Sequence, residues 1–390
     1  MAAAVLDLEL SDSIPDGEGL ERYTSAFVVL RLGGIPVGHC WVPVTSCRLD
    51  DAELRAGAQA AIPAFSRRWV ERQLGRDLLP ACDLPSATVA ICTRDRPDDL
   101  QRALPAVTAA AQGRPLLVVD NHPSSAAAEH VVRNWPHVRY VREETPGLNA
   151  ARNRALREAT TDVVAFTDDD AAPEPAWLDA LLRNFDHRLI AAVTGLTLPL
   201  ELETPAQEWF ERFTPFVRGY FRQVFDPLHC SPHAAGQVGA GANMAVRRSV
   251  LELAGPFDER LDAGTPTKSG GDHEMFARLL TRGYRIVYEP AAVSRHRHRR
   301  SWEELRATIG GYGTGVYAMW TGQVLEHRDL SVVRQATRWA VRVQWPALLR
   351  SVLRRRGAPP LDLVLAELGG CARGPLAWRA SRRRPRQAVA

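Results

Sequence analysis

The chain has 390 residues, of which 45% are hydrophobic and 24% charged, with a formal net charge of +4. That balance fits a soluble globular protein of two or three domains and excludes a disordered one. No run of roughly 18 uncharged apolar residues is present, so no spanning helix is expected.

The six cysteines, Cys40, Cys47, Cys82, Cys92, Cys230 and Cys371, are scattered without a C-x-x-C pair, which indicates neither a zinc site nor a disulfide framework. Acidic residues come early in MAAAVLDLELSDS, unlike the basic start of a secretory leader. The expected location is the cytoplasm.

Residues 1–84 hold short apolar stretches, AFVVLRL and GHCWVPV, then a helical pattern in DAELRAGAQAAIPAFSRRWVERQL, and read as a small α+β lead-in. Residues 85–300 alternate. SATVAIC is a strand and RPDDLQRALPAVTAAA a helix with Pro97 near its start. RPLLVVD is a strand, SSAAAEHVVRNW a serine-capped helix and HVRYVRE a strand. GLNAARNRALREA is a helix and DVVAFTDDD the next strand. This βαβαβ order predicts an α/β fold, a mostly parallel sheet with helices on both faces. Residues 301–390 are helical and basic, and from Arg350 onward ten arginines face only Asp362 and Glu367. Such a segment, ending in a disordered tail, suits a solvated helical cap or a peripheral contact with the inner face of a membrane.

The apolar run VVAF ends in three aspartates, Asp168, Asp169 and Asp170. They fall at the carboxyl end of a buried strand, where open α/β sheets bind ligands. Side chains alternate there, so Asp168 and Asp170 face one way and Asp169 the other. Two carboxylates on one side suit Mg²⁺ or Mn²⁺ carrying phosphate oxygens; a solvated acidic loop is the plainer alternative.

From about Thr88 to Ser301 the sequence resembles a family 2 glycosyltransferase of the GT-A fold. The resemblance rests on ordered blocks: VAICTRDRPDDLQRAL, LLVVDNHPSS, ETPGLNAARNRAL, the aspartate triplet, GAGANMAVRRSVLELAGPFDERLDAG, SGGDHEMFARLLTRGYRIVYEP and VSRHRHRRSW. It implies that Thr93 and Arg94 lie against the nucleotide, that Asp120 accepts from a uracil N–H, and that Arg152 and Asn153 lie near the base and phosphates. It makes Asp168 and Asp170 the D-x-D metal ligands, with Asp169 at the ribose or supporting the loop. It puts Asn243 at the sugar and His296, in preference to His298, at the metal or diphosphate. Gly239 to Ala242 are small, as a sugar pocket needs. Where relatives carry Glu-Asp, this chain has Gly271-Asp272, which loses the glutamate and keeps the aspartate at the position of the base; Glu274 is the spare. Asp272 also sits where a helix cap belongs.

The resemblance implies a metal-dependent, inverting, nonprocessive glycosyltransferase of the hexosyltransferase type. Its donor is a nucleoside diphosphate sugar, UDP- or dTDP-linked, its metal Mn²⁺ or Mg²⁺, and its acceptor a glycan, a lipid-linked glycan or a small metabolite. No nucleic-acid partner is expected. One alternative is a nucleotidyltransferase, but ICTRDRPDD lacks the glycine-rich, lysine-containing loop. Another is a degenerate carbohydrate-binding scaffold, which would have lost the triplet or Asp272. RQATRW matches the Q-x-x-R-W signature of processive members through Gln335, Arg338 and Trp339, but it lies over sixty residues past Asp272 and reads as coincidence.

Overall fold

In the computed structural model, residues 2–12, 19–62 and 83–383 are described. The N-terminal region is a four-stranded sheet of β1 (Ala3–Glu9), β2 (Ser25–Leu32), β3 (Ile35–Thr45) and β4 (Arg48–Leu49), with α1 (Asp51–Ala61) against it. The rest of the helical stretch expected up to residue 74 lies outside the described residues. Hydrogen bonds and ion pairs fasten this lead-in to the larger domain. Ala3 N–H donates to Leu202 O, and Arg31 and Arg295 bridge Asp7 and Glu174.

The central sheet has nine strands: β5 (Ala87–Thr93), β6 (Leu116–Asn121), β7 (Val138–Glu143), β8 (Val163–Asp168), β9 (Ala171–Pro173), β10 (Ile190–Pro199), β11 (Gln223–Phe225), β12 (Asn243–Arg247) and β13 (Arg285–His296). Its order is β11-β13-β10-β12-β8-β5-β6-β7, with β9 paired to β13. Strands β5 to β8 are mutually parallel, as the sequence predicts; β12 runs antiparallel between β8 and β10. The alternation read from the sequence stops at β8, so β9 to β13 are additions. Pro290 and the bulge around it interrupt the last of these strands.

Period-two alternation builds the two cores. Val89, Ile91, Val163 and Ala165 point to one face, with Leu100, Leu104 and Val107 of α2 (Pro97–Ala111). Ala90, Cys92, Val164 and Phe166 point to the other, with Ala155 and Leu156 of α4 (Leu148–Glu158). Both faces are therefore covered, which explains why these strands read as continuous apolar runs. In α3 (Ala127–Arg133), Ala126 and not a serine holds the N-cap position, and Ser125 Oγ accepts from Ala127 N–H. Next come α5 (Trp177–Leu182), α6 (Pro205–Phe213), α7 (Val250–Leu253) and α8 (Gly271–Thr281).

The C-terminal region is helical, as expected: α9 (Trp302–His327), α10 (Ser331–Trp339), a π turn (Ala340–Gln344), α11 (Trp345–Val352) and α12 (Leu361–Ser381). A capping box between Ser301 and Glu304 starts α9. Glycines let α9 and α12 touch backbone to backbone; a Cβ on Gly370 would meet Gly310 O at 2.1 Å. The expected disordered tail from residue 384 lies outside the described residues.

Candidate active site

Strand β8 ends at Asp168, and Asp169 and Asp170 form the turn that follows it. Asp169 turns inward, where Thr93 Oγ1 donates to its Oδ2 at 2.7 Å. Asp168 and Asp170 are joined by His296. The β9–β13 ladder carries His296 there, placing it opposite Ala171, while Arg297 N–H donates to Asp170 O at 2.9 Å. One donor atom each from Asp168, Asp170 and His296 lie within 4.8 Å of one another. His296 Nε2 is 3.1 Å from Asp170 Oδ1 and 3.9 Å from Asp168 Oδ2.

This cluster demands positive charge. Burial opposes ionisation of Asp170, yet His296, Arg299 and Arg96 hold its carboxyl well below the usual range. Burial and the charge of Asp170 push Asp169 up to about 7 and raise Asp168 as well. Burial works against a charged His296, but Asp170 and then Asp168 hold the ring's pKa above its ordinary value. Arg96 Nη1 bridges Asp169 and Asp170 at 3.2 and 3.1 Å, and Arg299 Nη1 lies 3.5 Å from Asp170. Two carboxylates and an imidazole fit a divalent cation, and the imidazole favours Mn²⁺ over Mg²⁺. His298 is not part of the cluster: it is buried, stacked on Phe210 and bonded to Glu211 at 3.0 Å.

Asp272 is the second residue of α8. Its Oδ2 accepts from Gly241 N–H and its Oδ1 from His273 N–H, both at 2.8 Å. Burial again opposes its charge, but His273, Arg152 and the two backbone donors hold its pKa below the ordinary value. It therefore sits at the cleft as a carboxylate. Glu274 is paired with Arg278 at 2.7 Å and is not at the cleft.

One cleft of about 1030 Å³ joins these groups. Thr93, Arg94, Arg152, Asp168, Asp169 and Asp170 line it, as do His296, Asp272 and the small residues from Gly239 to Ala242. The other expected donor-site residues are placed differently. Asp120 is fully buried and accepts from Tyr140 Oη at 2.8 Å, leaving Oδ1 without a partner. Asn153 exchanges hydrogen bonds with the backbone of Phe257 and also donates to Glu259. The Asn243 side chain accepts from Trp177 Nε1 and donates to the Leu196 and Ala292 carbonyls. Neither asparagine lines the cleft: the Phe257 backbone and Glu259 occupy the amide of Asn153, and Trp177 with the Leu196 and Ala292 carbonyls occupies that of Asn243.

Sequence reasoning passes over one contributor. Asp262 lines the cleft and holds Arg152 at 2.8 Å, from a loop where its own φ is +83°. Arg96, in the loop expected against the nucleotide, and Arg299, in the run expected to offset phosphate charge, are both brought to the aspartate cluster by the fold. Only pairing across the fold reveals these roles. Gln335 and Trp339, which read as coincidence in the sequence, line the far end of the cleft, whereas Arg338 is exposed on α10.

The model of glycosyl transferase family 2 matches residues 88–252 of the chain. Asp272 and His296 lie beyond the matched segment. Among relatives, a pre-mycofactocin glycosyltransferase of Mycobacterium tuberculosis is 30% identical over 237 residues, 57% of this chain and 46% of its own length. The chain thus spans about half the length of that relative. Glycosyltransferase AglE of Haloferax volcanii is 24% identical, covering 61% of this chain and 75% of its own. A glucosyl-dolichyl phosphate glucuronosyltransferase of the same organism is 24% identical, covering 54% and 70%.

Proposed function

We propose that the protein is a metal-dependent, inverting, nonprocessive glycosyltransferase that moves a sugar from a UDP- or dTDP-linked donor to an acceptor hydroxyl. The observation that carries this reading is one cleft lined both by the Asp168–Asp170–His296 cluster and by the Asp272 carboxylate.

Asp168, Asp170 and His296 would hold Mn²⁺ or Mg²⁺. Bound there, the cation would offset negative charge building on the departing diphosphate. Arg94 and Arg152 face the nucleotide, and Asp262 fixes the position of Arg152. The partnerless Oδ1 of Asp120 supports a role as acceptor for the imide N–H that uracil and thymine share. Asp272 takes the proton of the acceptor hydroxyl as that oxygen attacks the anomeric carbon. The bond to the diphosphate breaks on the opposite side, and a single in-line displacement inverts the centre. Gly241 N–H and His273 N–H orient the carboxylate for this task.

The far wall of the cleft is apolar, with Val316, Met319, Trp320 and Trp339. That wall supports an acceptor with an apolar part. A relative whose name specifies a glucosyl-dolichyl phosphate points the same way.

The test is calorimetric titration of UDP, dTDP and GDP into the protein with Mn²⁺ and then with EDTA, repeated on Asp170→Ala. Metal-dependent binding of UDP or dTDP that disappears in the variant is the expected result. Absence of binding by every nucleotide in both conditions removes the proposal.

A further inference from the structure

Sugar transfer leaves one conspicuous surface unused. Between Asp329 and Asp362 the chain has no acidic residue and seven arginines, at 334, 338, 342, 350, 354, 355 and 356. This stretch forms α10, the π turn and α11. Val333, Val341, Trp345, Leu349 and Leu353 follow one another at steps of four or eight, with Thr337 in the gap. They are 54%, 60%, 59%, 57% and 62% exposed. Residues four apart share a helix face with a drift of about 40° per step. The π turn between them absorbs an extra residue and limits that drift. Arg334, Arg338, Arg342, Arg350 and Arg354 each come one position after a member of the stripe, so a row of exposed arginines runs beside it.

The opposite side of the same helices is already in use. Val332, Gln344 and Ser351 are buried, and Trp339 lines the cleft. The stripe therefore has nothing to cover among the described residues. No helix among those residues is long and apolar enough to cross a membrane, so this surface would lie on a bilayer and not span it. A second copy is a poor occupant, because its own arginine row would face the first with no carboxylates in the segment to relieve the repulsion.

We infer that the α10–α11 face docks on an anionic phospholipid bilayer. The apolar stripe, Trp345 at its centre, enters the boundary between headgroups and acyl chains, and the arginine row meets lipid phosphates. Docking stands on these observations alone. Its consequence, that an amphiphilic acceptor reaches the cleft from the bilayer along the wall formed by Trp339, rests on the transferase reading.

The experiment is co-sedimentation of the full chain with phosphatidylcholine vesicles and with vesicles also containing phosphatidylglycerol, across a salt series. The variants are Trp345→Ser/Leu349→Ser and Arg338→Glu/Arg342→Glu, with thermal unfolding and Mn²⁺-dependent UDP binding measured on the same preparations. The expected result is salt-sensitive partition onto the anionic vesicles only, reduced roughly tenfold or more in each variant, with unfolding midpoints and UDP binding unchanged. Wild-type protein that stays in the supernatant with both vesicles overturns the inference. So does a wild-type dimer that both variants convert to monomer, since the stripe would then cover a second copy. Either outcome is independent of whether UDP binds, so failure of docking and failure of the transferase reading are separately visible.

Discussion

Gly241 donates its backbone N–H to Asp272 Oδ2 at 2.8 Å, and a methyl group at Gly241 would lie 2.9 Å from that oxygen and 2.6 Å from Arg152 Nη2. Glycine is thus required where the proposed base and the proposed nucleotide-binding cation come together. Gly241→Ala is expected to lower kcat/KM by about 10²-fold by displacing both groups. Steady-state kinetics measure this, and circular dichroism should show the fold intact.

The carboxylates of α8 should separate cleanly. Asp272→Asn keeps a hydrogen-bond acceptor for Gly241 N–H but cannot take a proton, so kcat should fall about 10²- to 10⁴-fold while nucleotide affinity holds. Glu274→Gln should leave kcat within about twofold and cost under about 1 kcal/mol through the weakened Arg278 pair. A larger catalytic loss for Glu274→Gln than for Asp272→Asn would reverse the assignment of the base.

Asp272 should not be the group that limits activity on the acid side. The pKa of Asp272 is held below its ordinary value, so the carboxylate stays ionised as pH falls through the usual carboxylate titration. Its contribution to stability has the same sign: present above the unfolded-state pKa of about 3.9 and lost as pH falls through the lower folded value. Single-turnover rates against pH should show no acid limb assignable to Asp272 above about pH 4. A limb near neutrality that vanishes in Asp272→Asn contradicts this.

Asn153 and Asn243 should behave as framework residues. Truncating either to alanine leaves buried backbone partners unsatisfied, and a loss of about 2–3 kcal/mol in unfolding free energy is expected for each. Affinity for nucleotide should change less than about twofold in whatever fraction remains folded, because neither amide reaches the cleft. Denaturant titration and calorimetry on the same samples test the pair of expectations.

The local parts of this protein were legible in one dimension. Apolar runs such as VAIC and VVAF are continuous because both faces of their strands are covered, so β5 to β8 and the helices between them could be read directly. The strand alternation expected through the triplet stops at Asp168, because Asp169 and Asp170 lie in the turn after β8, where Arg96 bonds to both. The position of Asp272 at the start of a helix followed from the pattern after it.

The tertiary structure decided everything that depends on distant segments meeting. His296 joins Asp168 and Asp170 because the later strand shifts register between Glu289 and Val293 and pairs with a three-residue strand more than a hundred positions earlier. Asn243 and Asn153 carry the residue type a sugar or phosphate site uses, yet neighbouring backbone groups claim their amides first. Gln335 and Trp339 have no sequence relation to the Asp168–Asp170–His296 cluster and reach its cleft only because the C-terminal helices fold back over it. Residue type and spacing fix which chemistry a side chain can offer. Packing fixes which partner it meets, because a buried polar group must bond to whatever the fold places beside it.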